Sequence, residues 1–461
     1  MRAMNRRDFL QVTGLATLGA LASNAFGMQG SGPSIGRTRS RRSKSVMGLA
    51  HKPMDKVRVA FIGVGARGSG HVTDLLNIEG VEIVAICDLY KDWAERSAAK
   101  VVAAGRKAPT LYVEGPKDYK NMLAREDIDA VWIATPWEEH IPMALEAMKR
   151  GKHAFIEVPA APTMDEAWAM VETAEETQRH CMMLENCCYG REEMLVLNMA
   201  RQGIFGDLLH GEGAYIHDLR GQMMEVDRGT GSWRTPHYQK RNGNLYPTHG
   251  LGPVAQYMSI NRGDRFAHLT SMSSNSRVRT IYAKEHFPKD HKWNKTPFQC
   301  GDINTTLIRT AMGRTIMVQW DEQLPRPYNR LNLLQGTKGV WGGYPQRCVI
   351  EGMSTSTDKW EQDAELKKWY DKFEHPLWQK QGDMARKMGG HGGMDFIMNW
   401  RIIYCLLHGE PLDQDVYDGA AWSAVSPLSE WSVARNGQCV EFPDFTRGDW
   451  KTAKPLGIVG A

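Results

Sequence analysis

An apolar strand, Val57 to Ile62, runs into Gly63-Val64-Gly65-Ala66-Arg67-Gly68 and leaves as a helical stretch through Leu76; nothing else in the chain constrains its fold as much. A glycine motif of this spacing is weak alone. Between a buried strand and a helix it has the setting that a phosphate-binding turn requires. Gly63 permits a tight turn, Gly65 lets the backbone approach a pyrophosphate, and Gly68 lets the helix pack close on the strand. Ala66 and Arg67 fill the rest of that turn. A second strand, Val81 to Cys87, ends at Asp88, where a carboxylate meets ribose hydroxyls and repels a 2′-phosphate. The expectation is a doubly wound parallel domain that binds NAD rather than NADP; the alternative is the same domain without a nucleotide.

Further units continue the pattern. Ala130 to Ala134 reads as a buried strand leading through Thr135-Pro136-Trp137-Glu138-Glu139-His140 into a helix, and His153 to Val158 reads as a strand stopped by Pro159. In an open parallel sheet, ligands sit at the carboxyl ends of strands, so residues 135–140, with Glu157 and Val158, are expected beside the cofactor. His140 either contacts it or caps a helix. After about residue 186 the character changes: Leu208 to Ile216, Ile303 to Thr310 and Thr315 to Trp320 are rich in β-branched and aromatic residues. The fold class is therefore α/β, an N-terminal Rossmann sheet over residues 56–186 followed by an α+β domain with a large, mostly antiparallel sheet over residues 187–461.

The start of the chain is of another kind. Asn5-Arg6-Arg7-Asp8-Phe9-Leu10, an apolar run to Ala22 and small residues through Gly27 form a twin-arginine export signal over residues 1–27, implying the twin-arginine translocase as partner and a periplasmic or secreted protein. The apolar run is too short for stable membrane insertion. Residues 28–55, basic and poor in apolar side chains, read as a disordered linker. A net charge of +4 over 461 residues gives no reason to expect nucleic acid, and the basic cluster at residues 37–44 reads as solvated linker. Eight cysteines without regular spacing point to no obligatory disulfide, and no His/Cys/Asp/Glu spacing suggests a metal. A homo-oligomer is compatible with the broad second sheet.

In the second half, Tyr246-Pro247-Thr248-His249 sets two titratable side chains three residues apart. If His249 opens a helix, phenol and imidazole lean into one pocket as proton handlers; otherwise the segment is a Pro/Gly turn capped by Thr248.

From Val57 onward the chain resembles the Gfo/Idh/MocA oxidoreductase superfamily, and within it glycoside hydrolase family 109, the NAD-dependent α-N-acetylgalactosaminidases. Gly63 to Gly68, Glu157-Val158-Pro159-Ala160-Ala161, Glu185 to Tyr189, Tyr246 to Val254 and Gly390 to Asp395 carry the likeness. Many sugar dehydrogenases of the superfamily have a proton-transferring lysine where this chain has Val158. The resemblance implies NAD contacts from Arg67, Asp88, Trp137, His140, Glu157, Val158 and Asn186. It also implies a sugar pocket of Tyr215, Arg234, Tyr246, His249 and Tyr328, with His249 as base and Tyr246 as its partner. The reaction it implies is redox-neutral glycoside hydrolysis: oxidation at C3, elimination, water addition and re-reduction, outside the usual scheme of paired carboxylates. An exported NAD-dependent sugar oxidoreductase and a non-catalytic sugar sensor are the competing readings. The substrate partner in the first is the terminal sugar of a glycoconjugate or oligosaccharide.

Overall fold

The computed structural model describes residues 36–41 and 43–455. The export signal expected at residues 1–27 lies outside the described residues. Strand β1 (Val57–Ile62), β2 (Val81–Cys87), β3 (Thr110–Tyr112), β4 (Ala130–Ile133), β5 (His153–Ile156) and β6 (Cys181–Met183) form one parallel sheet in the order β3-β2-β1-β4-β5-β6. β4 is buried at every residue and β1 at all but Arg58, as expected of central strands covered by helices on both faces. The order reverses between β1 and β4, so the crevice beyond their carboxyl ends is the place this topology reserves for a ligand. Helix Ala66–Leu76 leaves the glycine turn after β1, and helix Trp137–Lys149 leaves β4.

The second sheet has nine strands. They are β7 (Leu208–Ile216), β8 (Phe266–Ser273), β9 (Asn304–Thr310), β10 (Thr315–Asp321), β11 (Leu333–Gly336), β12 (Gly339–Gly342), β13 (Arg347–Ile350), β14 (Glu361–Gln362) and β15 (Val440–Glu441). Their order is β14-β13-β12-β11-β7-β10-β9-β8-β15, with β7 and β10 parallel and the other pairs antiparallel. Alternation is clear in β9, where Asn304, Thr306, Ile308 and Thr310 face inward while Leu307 and Arg309 face solvent. Helices Thr248–Tyr257 and Val416–Val433 cover the inner face, against β7 and β8 respectively. Among the described residues, no helix is long and apolar enough to cross a membrane.

The linker expectation is corrected. Residues 36–41 and 43–55 are irregular in backbone but laid along the body. Arg39 pairs with Glu175 at 3.1 Å and with Asp449 at 2.7 Å, Val46 is 4% exposed, and the Met54 N–H donates to the Leu406 carbonyl. Composition registered the shortage of apolar side chains; it had no means of showing that the basic ones meet carboxylates on helix Met164–Thr177 and near the C-terminus.

Candidate active site

The glycine turn is a cradle closed by backbone contacts. Gly63 has a φ of +84°, and a Cβ there would stand 2.6 Å from the Ala134 carbonyl oxygen; a Cβ on Gly68 would meet the Gly63 oxygen at 2.0 Å. Helix Ala66–Leu76 begins at Gly65 without a side-chain cap, which leaves first-turn N–H groups for an anion. Asp88, at the end of β2, accepts the Val64 N–H at 2.7 Å and the Tyr90 N–H at 2.8 Å, so turn and carboxylate form one unit. This cradle, in which Gly63 and Gly68 leave no room for a Cβ, fits a dinucleotide.

Beside it, Arg67 donates to Glu157 at 2.6 Å and to Asp395 at 2.6 and 3.1 Å. Burial alone would raise the Glu157 carboxyl, but Arg67 and His71 outweigh it and hold the group at about 2. Asn186 donates to the same Asp395 at 2.6 Å. Val158 turns its carbonyl to the Trp137 indole N–H, 3.3 Å away. His140 is sealed, with one ring nitrogen 2.8 Å from the Thr135 carbonyl and the other 3.1 Å from that of Pro159. It ties two strand-end loops together rather than capping a helix. Glu138 and Glu139 are exposed in the first turn of the helix after β4, and Glu138 lies 3.0 Å from His237.

On the second sheet the candidate sugar residues converge from separate elements. Tyr215 from β7 stacks on Tyr246 at 4.6 Å between centroids; His249 stands edge-on to both, at 5.2 and 4.9 Å, and Tyr328 lies 6.2 Å from Tyr215. The approach depends on Gly250. A Cβ there would meet the Ala214 nitrogen at 2.0 Å, so the helix lies backbone to backbone on β7. Thr248 caps nothing: Pro247 holds the cap position, and His249 falls in the first turn. Arg234 lies 5.3 Å from the Trp137 ring and 5.4 Å from the Tyr246 ring, and donates to Glu322 at 2.8 Å. Tyr328 accepts from Arg330 at 2.9 Å, and Arg330 is held in turn by buried Glu193. Trp137 follows β4 of the first sheet, so cradle and aromatic cluster adjoin through it.

Electrostatics distinguishes the two candidate proton handlers. Burial, with Tyr215 and nearby carboxylates, pushes the Tyr246 phenol well above its ordinary value, so it stays protonated and can donate. His249 Nδ1 is 2.7 Å from Glu185, a fully buried carboxylate. Burial opposes ionisation of Glu185, yet His249 and the Cys187 N–H among its neighbours leave it lower than usual; the carboxylate therefore accepts from Nδ1–H, and Nε2 is left free to take a proton.

Sequence reading gave no role to Glu185 and Asp395, which it quoted only within likeness-bearing segments, and missed Glu193 and Glu322 altogether; these are the carboxylates behind the named residues. Acidic residues carry no periodic signal, and their partners lie 64 to 328 positions away. Folding also gathers two groups that spacing did not show. His51, His153 and His180 lie together, and burial with the nearby Arg179 keeps all three imidazoles neutral. Glu185, Cys187 and His249 also cluster, with Glu185 and His249 paired to each other and the Cys187 thiol pushed up by burial.

Comparison with known proteins identifies both halves of the chain. Residues 57–185 match the family described as "Oxidoreductase family, NAD-binding Rossmann fold", and residues 189–452 match "Glycosyl hydrolase 109, C-terminal domain". A Shewanella baltica "Glycosyl hydrolase family 109 protein" is 56% identical, and a Shewanella oneidensis "Alpha-N-acetylgalactosaminidase" is 55% identical, each over 100% of both chains. Among solved structures, levoglucosan dehydrogenase in complex with NADH superposes with a TM-score of 0.63 at 18% identity, covering 84% of this chain and 100% of that one. Scyllo-inositol dehydrogenase from Lactobacillus casei with bound NAD(H) and scyllo-inositol gives 0.57 at 13%, covering 84% and 99%.

Proposed function

Because the chain belongs to glycosyl hydrolase family 109, we propose that it releases terminal α-N-acetylgalactosamine from glycoconjugates or oligosaccharides by transient oxidation of the sugar at C3. The carrying observation is the pairing of a base of fixed tautomer, His249 on Glu185, with a protonated phenol, Tyr246, next to the cofactor cradle. NAD, when bound, would accept the hydride from C3 and return it, with the C3 hydroxyl proton passing to solvent in the oxidation and coming back in the re-reduction.

The protein's own work is placement and proton transfer. A ketone at C3 acidifies the C2 proton, and His249 Nε2 takes that proton while Glu185 stabilises the resulting imidazolium. Tyr246, kept protonated by its surroundings, donates toward the departing glycosidic oxygen. Water then adds to the enone with the proton flow reversed. Arg234, aligned by Glu322, and Tyr328, aligned by Arg330, hydrogen-bond the hydroxyls or the acetamido carbonyl, and the stacked Tyr215 and Tyr246 offer an aromatic surface to the ring. Val158 in place of a lysine argues against a simple sugar dehydrogenase. Export through the twin-arginine translocase belongs to the same reading and is supported by the sequence of residues 1–27.

The test incubates purified protein with a chromogenic α-N-acetylgalactosaminide and no added NAD, following aglycone release and the reduced-nicotinamide absorbance. Sustained release without net reduction is expected; reduction that stops after one equivalent, without aglycone, overturns the proposal in favour of an oxidoreductase.

A further inference from the structure

Residues 389–393 have an unusual backbone. Gly389, Gly390, His391, Gly392 and Gly393 all have positive φ, at 81, 41, 48, 75 and 97°. Four of the five are glycine, the residue that tolerates this region. The loop ends at helix Met394–His408, whose second residue is Asp395. Asp395 belongs to the C-terminal half of the chain, yet its donors come from the cofactor side: Arg67 of the glycine turn at 2.6 and 3.1 Å, and Asn186 at 2.6 Å. A fourth contact comes from the loop itself, where His391 Nδ1 lies 2.7 Å from Asp395 and 3.4 Å from Arg67.

Burial separates these residues by role. Asp395 is almost fully enclosed, Arg67 keeps 28% of its side chain exposed, and His391 keeps 56%, with Nε2 making no protein hydrogen bond among the described residues. One turn further along the same helix, Asn399 donates to Asp74 at 3.0 Å and lies 2.9 Å from His71, both on the helix that follows the glycine turn. The helix is thus anchored to the dinucleotide half at Asn399, while its leading end and loop reach the turn itself through Asp395 and His391.

From this arrangement we infer that the glycine loop with His391 and Asp395 is a cofactor latch: Asp395 positions Arg67 and Asn186 toward NAD, and His391 closes over the exposed side of Arg67 and slows NAD release. The inference rests on the proposed cycle in one respect, that a cofactor returned to its starting state each turnover is best kept rather than exchanged. Neither residue does chemistry on the sugar; both are positioning residues.

The experiment measures NAD retention in the full-length protein without substrate. Protein loaded with NAD is mixed with excess 1,N6-etheno-NAD, and exchange is followed by fluorescence, together with bound NAD content after gel filtration. Loss of one hydrogen bond to a charged group predicts about tenfold faster release for His391→Ala, and loss of the carboxylate about a hundredfold for Asp395→Asn. Turnover lost by Asp395→Asn on dilution is expected to return with millimolar NAD, an effect on NAD affinity rather than on kcat. Wild-type exchange rates in both variants, or turnover that added NAD does not restore while cofactor content is normal, overturn the latch. Exchange is read without glycoside, so failure of the glycosidase reading would show separately, as absent aglycone release from NAD-loaded wild type.

Discussion

The cofactor cradle and the proposed sugar pocket are built in opposite ways. The cradle is local and made of backbone: Gly63 to Gly68 and Asp88 come from two adjacent strands, and the Asp88 carboxylate accepts the Val64 N–H of the turn and the Tyr90 N–H of its own loop. In the pocket the parts are remote and made of side chains. Tyr215, Arg234, His249 and Tyr328 come from separate elements, and three of them stand on, or one residue removed from, a buried carboxylate: Glu322, Glu185 and Glu193. Damage to the cradle should therefore weaken cofactor retention while leaving the protein folded; damage to the pocket should strike rate or stability.

The largest effect expected is at the proposed base. His249→Ala should lower kcat by about a thousandfold, within the range for lost general acid–base catalysis, with bound NAD at the wild-type level by absorbance after denaturation. If kcat falls less than tenfold, the division of labour drawn above is wrong. Glu322→Gln comes next. It leaves the enclosed Arg234 guanidinium without its counter-charge and should cost about 3 kcal/mol in a urea melt, since removing one partner of a buried pair is costly. A midpoint equal to wild type would mean that Arg234 finds water instead.

On the cradle side, Asp88→Ala should release NAD about ten- to a hundredfold faster, with a modest fall in melting temperature from the unpaired Val64 and Tyr90 N–H groups; retention unchanged on gel filtration would remove Asp88 from the cofactor site. Acid provides a finer probe. Glu157 titrates at about 2 in the folded chain against an ordinary 4.5, so the stability it contributes is complete above about pH 4.5 and is lost as pH falls toward 2. Glu157→Gln should flatten that part of the stability curve, measured by urea melts from pH 5 downward, and a slope identical to wild type would contradict the Arg67 pairing. Smallest of all, Tyr328→Phe should raise KM several-fold with kcat nearly kept, as one hydrogen bond to substrate is lost.

Much of the cradle was legible because its signal is contiguous. A strand, three glycines at set spacing, a helix and an acidic strand end lie within 32 residues, and each glycine answers to a steric demand that the structure displays. Strands Leu208–Ile216 and Thr315–Asp321 were likewise readable from β-branched and aromatic runs. The His249 segment was half legible: its spacing allowed either a helix start or a turn, and the decision came from Gly250 lying against Ala214 of β7. The linker was misread because charge complementarity with Glu175 and Asp449 is a property of the folded surface, not of the segment.

What the sequence determined by itself was the identity of the elements and the chemistry available: a dinucleotide turn, an aromatic second sheet, an imidazole beside a phenol. Tertiary structure alone decided the protonation logic. Glu185 had to arrive from 64 residues away to orient His249, and Asp395 from 328 residues away to bind Arg67, and both carboxylates stay ionised because burial is outweighed by partners that exist only once the chain has folded. Backbone geometry is set by neighbours in sequence, whereas electrostatics falls with distance in space, so the first can be read along the chain and the second cannot.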